Sequence, residues 1–100
     1  MEHRLKSRRS LSMDVLVRGG NDLTLNGRVR DLSTDGMFIQ LTQKVVSTNA
    51  MLDIELSHGI RLHGWVVHAG DEGIGVVFRS LSDQERTLIE ELLVEKSVAL

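Results

Sequence analysis

An arginine pair near the amino terminus is the first feature of this sequence that suits binding chemistry. Arg4 and Arg8 are four residues apart, and Arg9 follows directly. A guanidinium group is planar and stays charged. It can donate two parallel hydrogen bonds to a phosphate or to the O6/N7 edge of guanine, and it can also lie flat on a base. Two such groups on a mobile arm can close around an anion from two sides. Taken alone, the same residues also fit a solvated basic tail without a specific ligand.

The stretch DLSTDG, residues 31 to 36, is the second such feature. Asp31 and Ser33 are two apart, so along an extended chain their side chains point the same way. A carboxylate beside a hydroxyl can accept parallel hydrogen bonds from the N1–H and the exocyclic amine of guanine, a donor pair that adenine lacks. Gly36 would permit a positive φ or a close approach of the backbone. A plain Asp-Gly turn is the alternative interpretation of this stretch.

The distribution of charge favours a small anionic partner. The chain has 100 residues and a formal net charge of −2. Its first nine residues carry +3, whereas the other 91 carry −5. Proteins that bind long nucleic acids spread their basic residues over a face or groove, and single-strand binders use aromatic platforms. This sequence has three aromatic residues, so binding of nucleic acid is not expected.

The elements that must position these side chains are short strands. Six runs in which apolar residues alternate with others predict strands with one buried face. Turn residues separate the runs, and closure of six such strands removes exposed edges, so we expect a small antiparallel barrel. The apolar members of the runs are Met13, Val15, Val17; Leu23, Leu25, Val29; Met37, Ile39, Leu41; Leu52, Ile54, Leu56; Ile60, Leu62, Val66; and Ile74, Val76, Phe78.

The last segment predicts an amphipathic helix. Ser82 and Glu85 form a capping-box pattern. Leu88, Ile89, Leu92 and Leu93 then fall on one helical face, which would pack either on the barrel or on a partner. We therefore expect one domain over residues 1–100, with a flexible basic arm at 1–10, a barrel at 11–80 and a helix at 82–98.

Other classes of site find little support in the sequence. The absence of cysteine excludes disulfides and thiolate metal sites. His58, His63 and His68 are five apart, so strand alternation turns His63 away from the other two and makes a poor metal triad. Neither a phosphate-binding Gly-Lys-Ser/Thr loop nor a nucleophile elbow is present. No apolar run approaches the roughly 18 to 20 residues that span a bilayer. The basic amino-terminal residues are not followed by the apolar stretch of a secretory signal, so none is expected. A cytoplasmic protein that is not an enzyme is the expectation.

Together these motifs resemble the signature of PilZ domains. The match consists of Arg4-x-x-x-Arg8 followed by Asp31-x-Ser33-x-x-Gly36, with GWVVH at 64–68 and GIGVVF at 73–78 also similar. The resemblance covers nearly the whole chain. It implies a six-stranded β-barrel with a C-terminal α-helix, and cyclic di-GMP as the ligand.

The resemblance also implies roles for individual residues. Arg4 and Arg8 would hold phosphates and guanine bases, with Arg9 as an auxiliary cation. Asp31 and Ser33 would bind a guanine edge, and Gly36 would let the turn sit under the ligand.

His68 occupies a position at which the family often packs a side chain on a guanine. Strict alternation, however, puts His68 on the same face as Ile60, Leu62 and Val66. Packing at the edge of the core is therefore an equal alternative to ligand contact.

The function expected is that of a stand-alone cyclic di-GMP receptor, which binds one or two ligand molecules without transforming them. Ligand would order the arm and create an altered surface for a protein partner. No further cofactor, metal or membrane partner is expected. Two alternatives stay open: a ligand-independent interaction adaptor with the same fold, and a small barrel that binds single-stranded nucleic acid through phosphates.

Overall fold

The computed structural model describes residues 9–20, 22–43, 46–56 and 59–97. Within these ranges the chain forms six strands and one helix. They are β1 (Arg9–Arg18), β2 (Thr24–Leu32), β3 (Gly36–Gln40), β4 (Met51–Leu56), β5 (Arg61–Ala69), β6 (Gly73–Phe78) and α1 (Asp83–Ser97). Each of the six predicted runs lies in or at the edge of one strand, so the strand predictions are confirmed.

The six strands close into an antiparallel barrel. The order around it is β1-β2-β3-β6-β5-β4, and the contact between β1 and β4 completes the circle. The alternating apolar residues point inward, and Val17, Ile54 and Leu62 are among those without measurable exposure. Because closure leaves no unpaired edge and one filled interior, the prediction of a small antiparallel barrel is confirmed.

The first strand starts slightly earlier than the sequence suggests. Arg9 pairs with Leu32 and Ser10 with Asp31, so β1 takes in two residues assigned above to the arm. These residues lack apolar alternation, so the sequence pattern does not detect them. Backbone pairing with β2 is sufficient to make them part of the strand. The described chain therefore enters the barrel directly beside Asp31.

The helix begins with the reciprocal cap that the sequence predicts. The backbone N–H of Glu85 donates to Ser82 Oγ at 3.0 Å, and the N–H of Ser82 donates to Glu85 Oε1, also at 3.0 Å. Ile89 and Leu92 are buried in the same core as the barrel residues. The apolar stripe thus packs on the barrel. No helix within the described residues is long and apolar enough to cross a membrane.

Candidate functional site

A single cross-strand row brings the predicted carboxylate and the predicted histidine onto the same stretch of barrel. Asp31 of β2 pairs with Phe38 of β3, Phe38 pairs with Gly75 of β6, and Gly75 pairs with His68 of β5. Residues directly opposite each other in a sheet project from the same face. None of the four is buried in the core: His68 is exposed and the other three are partly exposed. We call these four residues the Asp31 row.

Two β-bulges create this row. The register shifts between Val29 and Asp31 where β2 meets β3, and between Val66 and His68 where β5 meets β6. Each bulge inserts one extra residue, Arg30 or Val67, both of which are exposed. A bulge reverses the face on which the following residues lie and is frequent beside functional sites.

The bulge at Val67 overturns the strict alternation expected for His68. Val66 is fully buried, whereas His68 is exposed rather than on the core face with Val66. Packing of His68 at the core edge is therefore excluded, and ligand contact by His68 stays a prediction.

Ser33 organises the turn that follows Asp31. The residue is only 2% exposed. The hydroxyl accepts hydrogen bonds from the backbone N–H of Asp35 at 3.1 Å and of Gly36 at 3.3 Å, while the Ser33 N–H donates to the Gly36 carbonyl at 2.9 Å. The bond from Gly36 satisfies a buried backbone donor that has no access to water, and the bond from Asp35 satisfies a partly buried one. The role that the structure describes for Ser33 is to hold the turn, and direct contact with a guanine stays a prediction.

Gly36 is placed where the backbone of β6 passes too closely for any side chain. A Cβ on Gly36 would lie 2.1 Å from the carbonyl oxygen of Val76 and 3.2 Å from Val77 Cα. Of the two reasons offered for glycine at this position, close approach is the one the structure supports. The turn is also tied to β6 because the Phe78 N–H donates to the Asp35 carbonyl at 2.9 Å.

Phe38 and Gly75 are members of the row that sequence reasoning did not select. Both occupy outward positions in runs whose alternate residues are buried. An aromatic residue on the solvent side and a glycine inside a strand were the signals available, since glycine in a strand often marks close approach of a ligand. Among the described residues, the one side-chain atom within 4 Å of a Cβ placed on Gly75 is His68 Cβ, at 3.5 Å. In the part of the chain that the structure describes, the row therefore has an open slot between Phe38 and His68.

The arginines of the amino-terminal motif are only partly within the described chain. Arg4 and Arg8 lie outside the described residues. Arg9 begins β1 opposite Leu32, one position from the pairing of Ser10 with Asp31. The ranges with described side chains hold no group of three or more His, Asp or Glu residues arranged to bind a metal ion.

A closed six-stranded barrel with a C-terminal helix, a polar turn and an open outward row is the architecture of a small ligand-binding or adaptor domain. The PilZ domain family matches residues 2–95. The match covers nearly all of the chain, which therefore belongs to the PilZ domain family. No curated relative matches it significantly.

Solved structures share this fold at low sequence identity. The PilZ domain of YcgR from Escherichia coli, solved with c-di-GMP, is 14% identical with a TM-score of 0.82, over 93% of this chain and 90% of that one. The PilZ domain of CeSA from a cellulose-synthesizing bacterium is 16% identical with a TM-score of 0.75, over 89% and 96%. MrkH from K. pneumonia in its apo state is 18% identical with a TM-score of 0.70, over 95% of this chain and 50% of that one.

Proposed function

We propose that this protein is a receptor for cyclic di-GMP, which it binds without chemical change and reports to a protein partner. The observation that carries the proposal is the Asp31 row, with a carboxylate at one end, an imidazole at the other and an uncovered glycine between. Membership of the PilZ family supports it, as does the c-di-GMP of the similarly folded YcgR domain.

Asp31 is the proposed reader of the base. Its carboxylate would accept the N1–H and the exocyclic N–H of a guanine as two parallel hydrogen bonds. Asp31 stands at the end of β2, one residue before the buried pair Leu32 and Ser33. The turn bonded by Ser33 fixes the path of the chain that follows and so supports the orientation of this carboxylate.

The slot over Gly75 is the proposed place for a flat base. Gly75 has Phe38 on one side and His68 on the other. With no side chain at Gly75, a purine ring can approach the backbone of β6 and stack against the imidazole of His68. Stacking of a base on an aromatic ring contributes about 1 to 3 kcal/mol.

Arg4 and Arg8 are the proposed phosphate ligands, with Arg9 as an auxiliary cation. The described chain begins in the barrel at Arg9, which pairs with Leu32. An extended residue spans about 3.3 Å, so a chain that leaves Arg9 would be long enough to bring Arg8 and Arg4 to the Asp31 row. The charge of the arm would be shared between the two phosphates of one ligand, or of two ligands that stack together.

The adaptor and nucleic-acid alternatives have weaker support. The helix stripe that an adaptor would use is packed on the barrel through Ile89 and Leu92. An adaptor also has no need of an open slot beside a carboxylate. A single-strand binder would need more aromatic residues than this sequence contains.

Calorimetry can separate the three functions. The intact chain is titrated with cyclic di-GMP, GMP and a short single-stranded oligonucleotide, and the cyclic di-GMP titration is repeated with Arg8→Ala and Asp31→Ala. Arg86→Ala, a change on the exposed part of α1, serves as the matched control. We expect binding of cyclic di-GMP that both site variants weaken at least about tenfold and the control leaves unchanged. Absence of heat from cyclic di-GMP, or unaltered binding in both site variants, would remove the proposal.

A further inference from the structure

Beside the Asp31 row lies a second row with a different character. Gly36 pairs with Val77, Val77 with Trp65, and Trp65 with Met51. Adjacent rows on one face of a sheet are two residues, or about 7 Å, apart. We call these four residues the Trp65 row.

The Trp65 row concentrates exposed apolar side chains. Within the described side chains five large hydrophobic residues are exposed; three of them lie in this row, and a fourth, Val67, lies two residues along β5 from Trp65. The four are Met51 at 46%, Trp65 at 39%, Val77 at 37% and the bulge residue Val67 at 52%. Contiguous apolar patches of this kind mark interaction sites, whereas single exposed hydrophobic residues need no explanation.

An arginine lies over this apolar surface. The Cζ atom of Arg79 is 5.5 Å from the centroid of the Trp65 ring, and its Nη1 is 3.9 Å from Met51 Sδ. The backbone N–H of Arg79 donates to the His63 carbonyl at 2.8 Å, which fixes the start of this side chain. Within the part of the chain that the structure describes, no carboxylate lies within ion-pair distance of the Arg79 guanidinium.

Arg79 borders a cleft that continues from the Trp65 row. The cleft has a volume of about 530 Å³, and Met51, Arg79, Arg18, Asp53 and His63 are among its lining residues. The one carboxylate among its described lining residues is engaged, since Asp53 Oδ1 lies 2.6 Å from His63 Nδ1. Arg18 contacts Glu55 at 3.5 Å and keeps half of its side chain exposed. The cleft therefore offers cationic groups to an incoming anion, and one of them, Arg79, has no acidic partner among the described residues.

We propose that the Trp65 row and this cleft form the docking surface for a partner protein segment that combines an acidic residue with neighbouring apolar side chains. The carboxylate of the segment enters the cleft between Arg79 and Arg18, and its apolar side chains cover Trp65 and Val77. A buried arginine–carboxylate contact beside an aromatic anchor is typical of the residues that dominate interface energies.

The docking surface adds a partner site to the proposed receptor function. Its link to the ligand rests on that proposed function. Gly36 ends the Trp65 row and also closes the turn of the Asp31 row. The Asp35 carbonyl of that turn accepts the Phe78 N–H at 2.9 Å, and Arg79 follows Phe78. A ligand at the turn and a partner on the Trp65 row thus share the end of β6, so a partner can contact the ligand-bound turn while it covers Trp65.

The experiment selects binders from a phage-displayed library of random linear dodecapeptides, with the full-length chain immobilised in the presence and absence of cyclic di-GMP. Trp65 is the only tryptophan in the sequence, so synthetic versions of the enriched peptides are titrated by its fluorescence. We expect the enriched peptides to carry Asp or Glu next to apolar residues and to shift Trp65 emission. Arg79→Gln should weaken the binding of these peptides at least about tenfold, and the control Arg86→Gln should leave their binding unchanged.

The proposal would be overturned by no enrichment, by enriched peptides without an acidic residue, or by equal binding of the peptides to Arg79→Gln and the intact chain. Concentration-dependent self-association abolished by Trp65→Ala in sedimentation would also overturn it, because a second copy would then be the occupant. Val94→Ala, at an exposed apolar residue of α1, is the control there. Calorimetry with cyclic di-GMP on the same preparations separates the two proposals. Peptide binding without cyclic di-GMP binding would contradict the receptor proposal alone. Cyclic di-GMP binding without peptide binding would contradict the docking-surface proposal alone.

Discussion

Gly75 lies directly opposite His68, and a Cβ placed on Gly75 would stand 3.5 Å from His68 Cβ. This is an ordinary van der Waals contact, so the fold does not require glycine at this position. Gly36 differs, because there a Cβ would lie 2.1 Å from the Val76 carbonyl oxygen. The two glycines are therefore constrained for different reasons, one by the ligand that we propose and the other by the barrel.

Alanine at these two glycines should separate binding from stability. We expect Gly36→Ala to lower the free energy of unfolding by about 1 to 3 kcal/mol, because the new methyl group forces β3 away from β6. Gly75→Ala should leave the free energy of unfolding within about 1 kcal/mol of the parent. It should nevertheless weaken the binding of cyclic di-GMP, since the methyl group fills the slot. Urea denaturation and calorimetry measure the two effects. Equal loss of stability in both variants would contradict this assignment.

Ser33→Ala should destabilise the turn. The hydroxyl accepts the buried N–H of Gly36 and the partly buried N–H of Asp35, and a buried donor left unsatisfied costs about 1 to 3 kcal/mol. We expect a loss of about 1 to 3 kcal/mol in the free energy of unfolding by urea denaturation. Ser12→Ala, at an exposed position of β1, is the control and should change it by less than about 0.5 kcal/mol. If Ser33→Ala behaves like Ser12→Ala, the turn does not depend on this hydroxyl.

His68→Ala should weaken the binding of cyclic di-GMP by about five- to 150-fold, because the stacking surface for a base is lost. His63→Ala provides a matched control on the same strand. His63 is also exposed but contacts Asp53 at 2.6 Å on the other side of the Trp65 row. Calorimetric affinities for the control should stay within about twofold of the parent. A larger effect from His63 than from His68 would place the ligand elsewhere.

Ser82→Ala should cost about 0.5 to 2 kcal/mol of stability through the loss of the N-cap. The reciprocal bonds between Ser82 and Glu85 hold the first turn of α1, which packs Ile89 and Leu92 on the barrel. Thr87→Ala, exposed on the same helix, should not reduce the unfolding temperature. A reduction of the same size in both variants would show that the cap is not the cause.

The barrel and its helix follow from local patterns in the sequence. Alternation in runs such as Leu52, Ile54 and Leu56 identifies which face is buried, and every such residue of β4 is in the core. The capping pattern at Ser82 predicts the helix start, and the structure forms both of its hydrogen bonds. These features depend on neighbours within a few residues, so no knowledge of the distant chain is needed.

The arrangement of the candidate site depends on register, which alternation alone does not reveal. His68 lies outside the core because Val67 forms a bulge, and nothing in the pair Val66-Val67 signals the extra residue. Phe38 and Gly75 join Asp31 only through the pairing of β3 with both β2 and β6. The hydroxyl of Ser33 is likewise buried because of the turn after β2. The spacing of two residues between Asp31 and Ser33 does not reveal this burial.

Base selectivity at Asp31 tests the central claim most directly. The intact chain and Asp31→Asn are titrated calorimetrically with cyclic di-GMP and with cyclic di-AMP in the same buffer. The account predicts that the intact chain binds cyclic di-GMP at least about a hundredfold more tightly, because adenine lacks the paired donors that the Asp31 carboxylate accepts. It also predicts that Asp31→Asn loses most of this preference. Equal affinities of the intact chain for the two ligands, or an unchanged preference in Asp31→Asn, would contradict it.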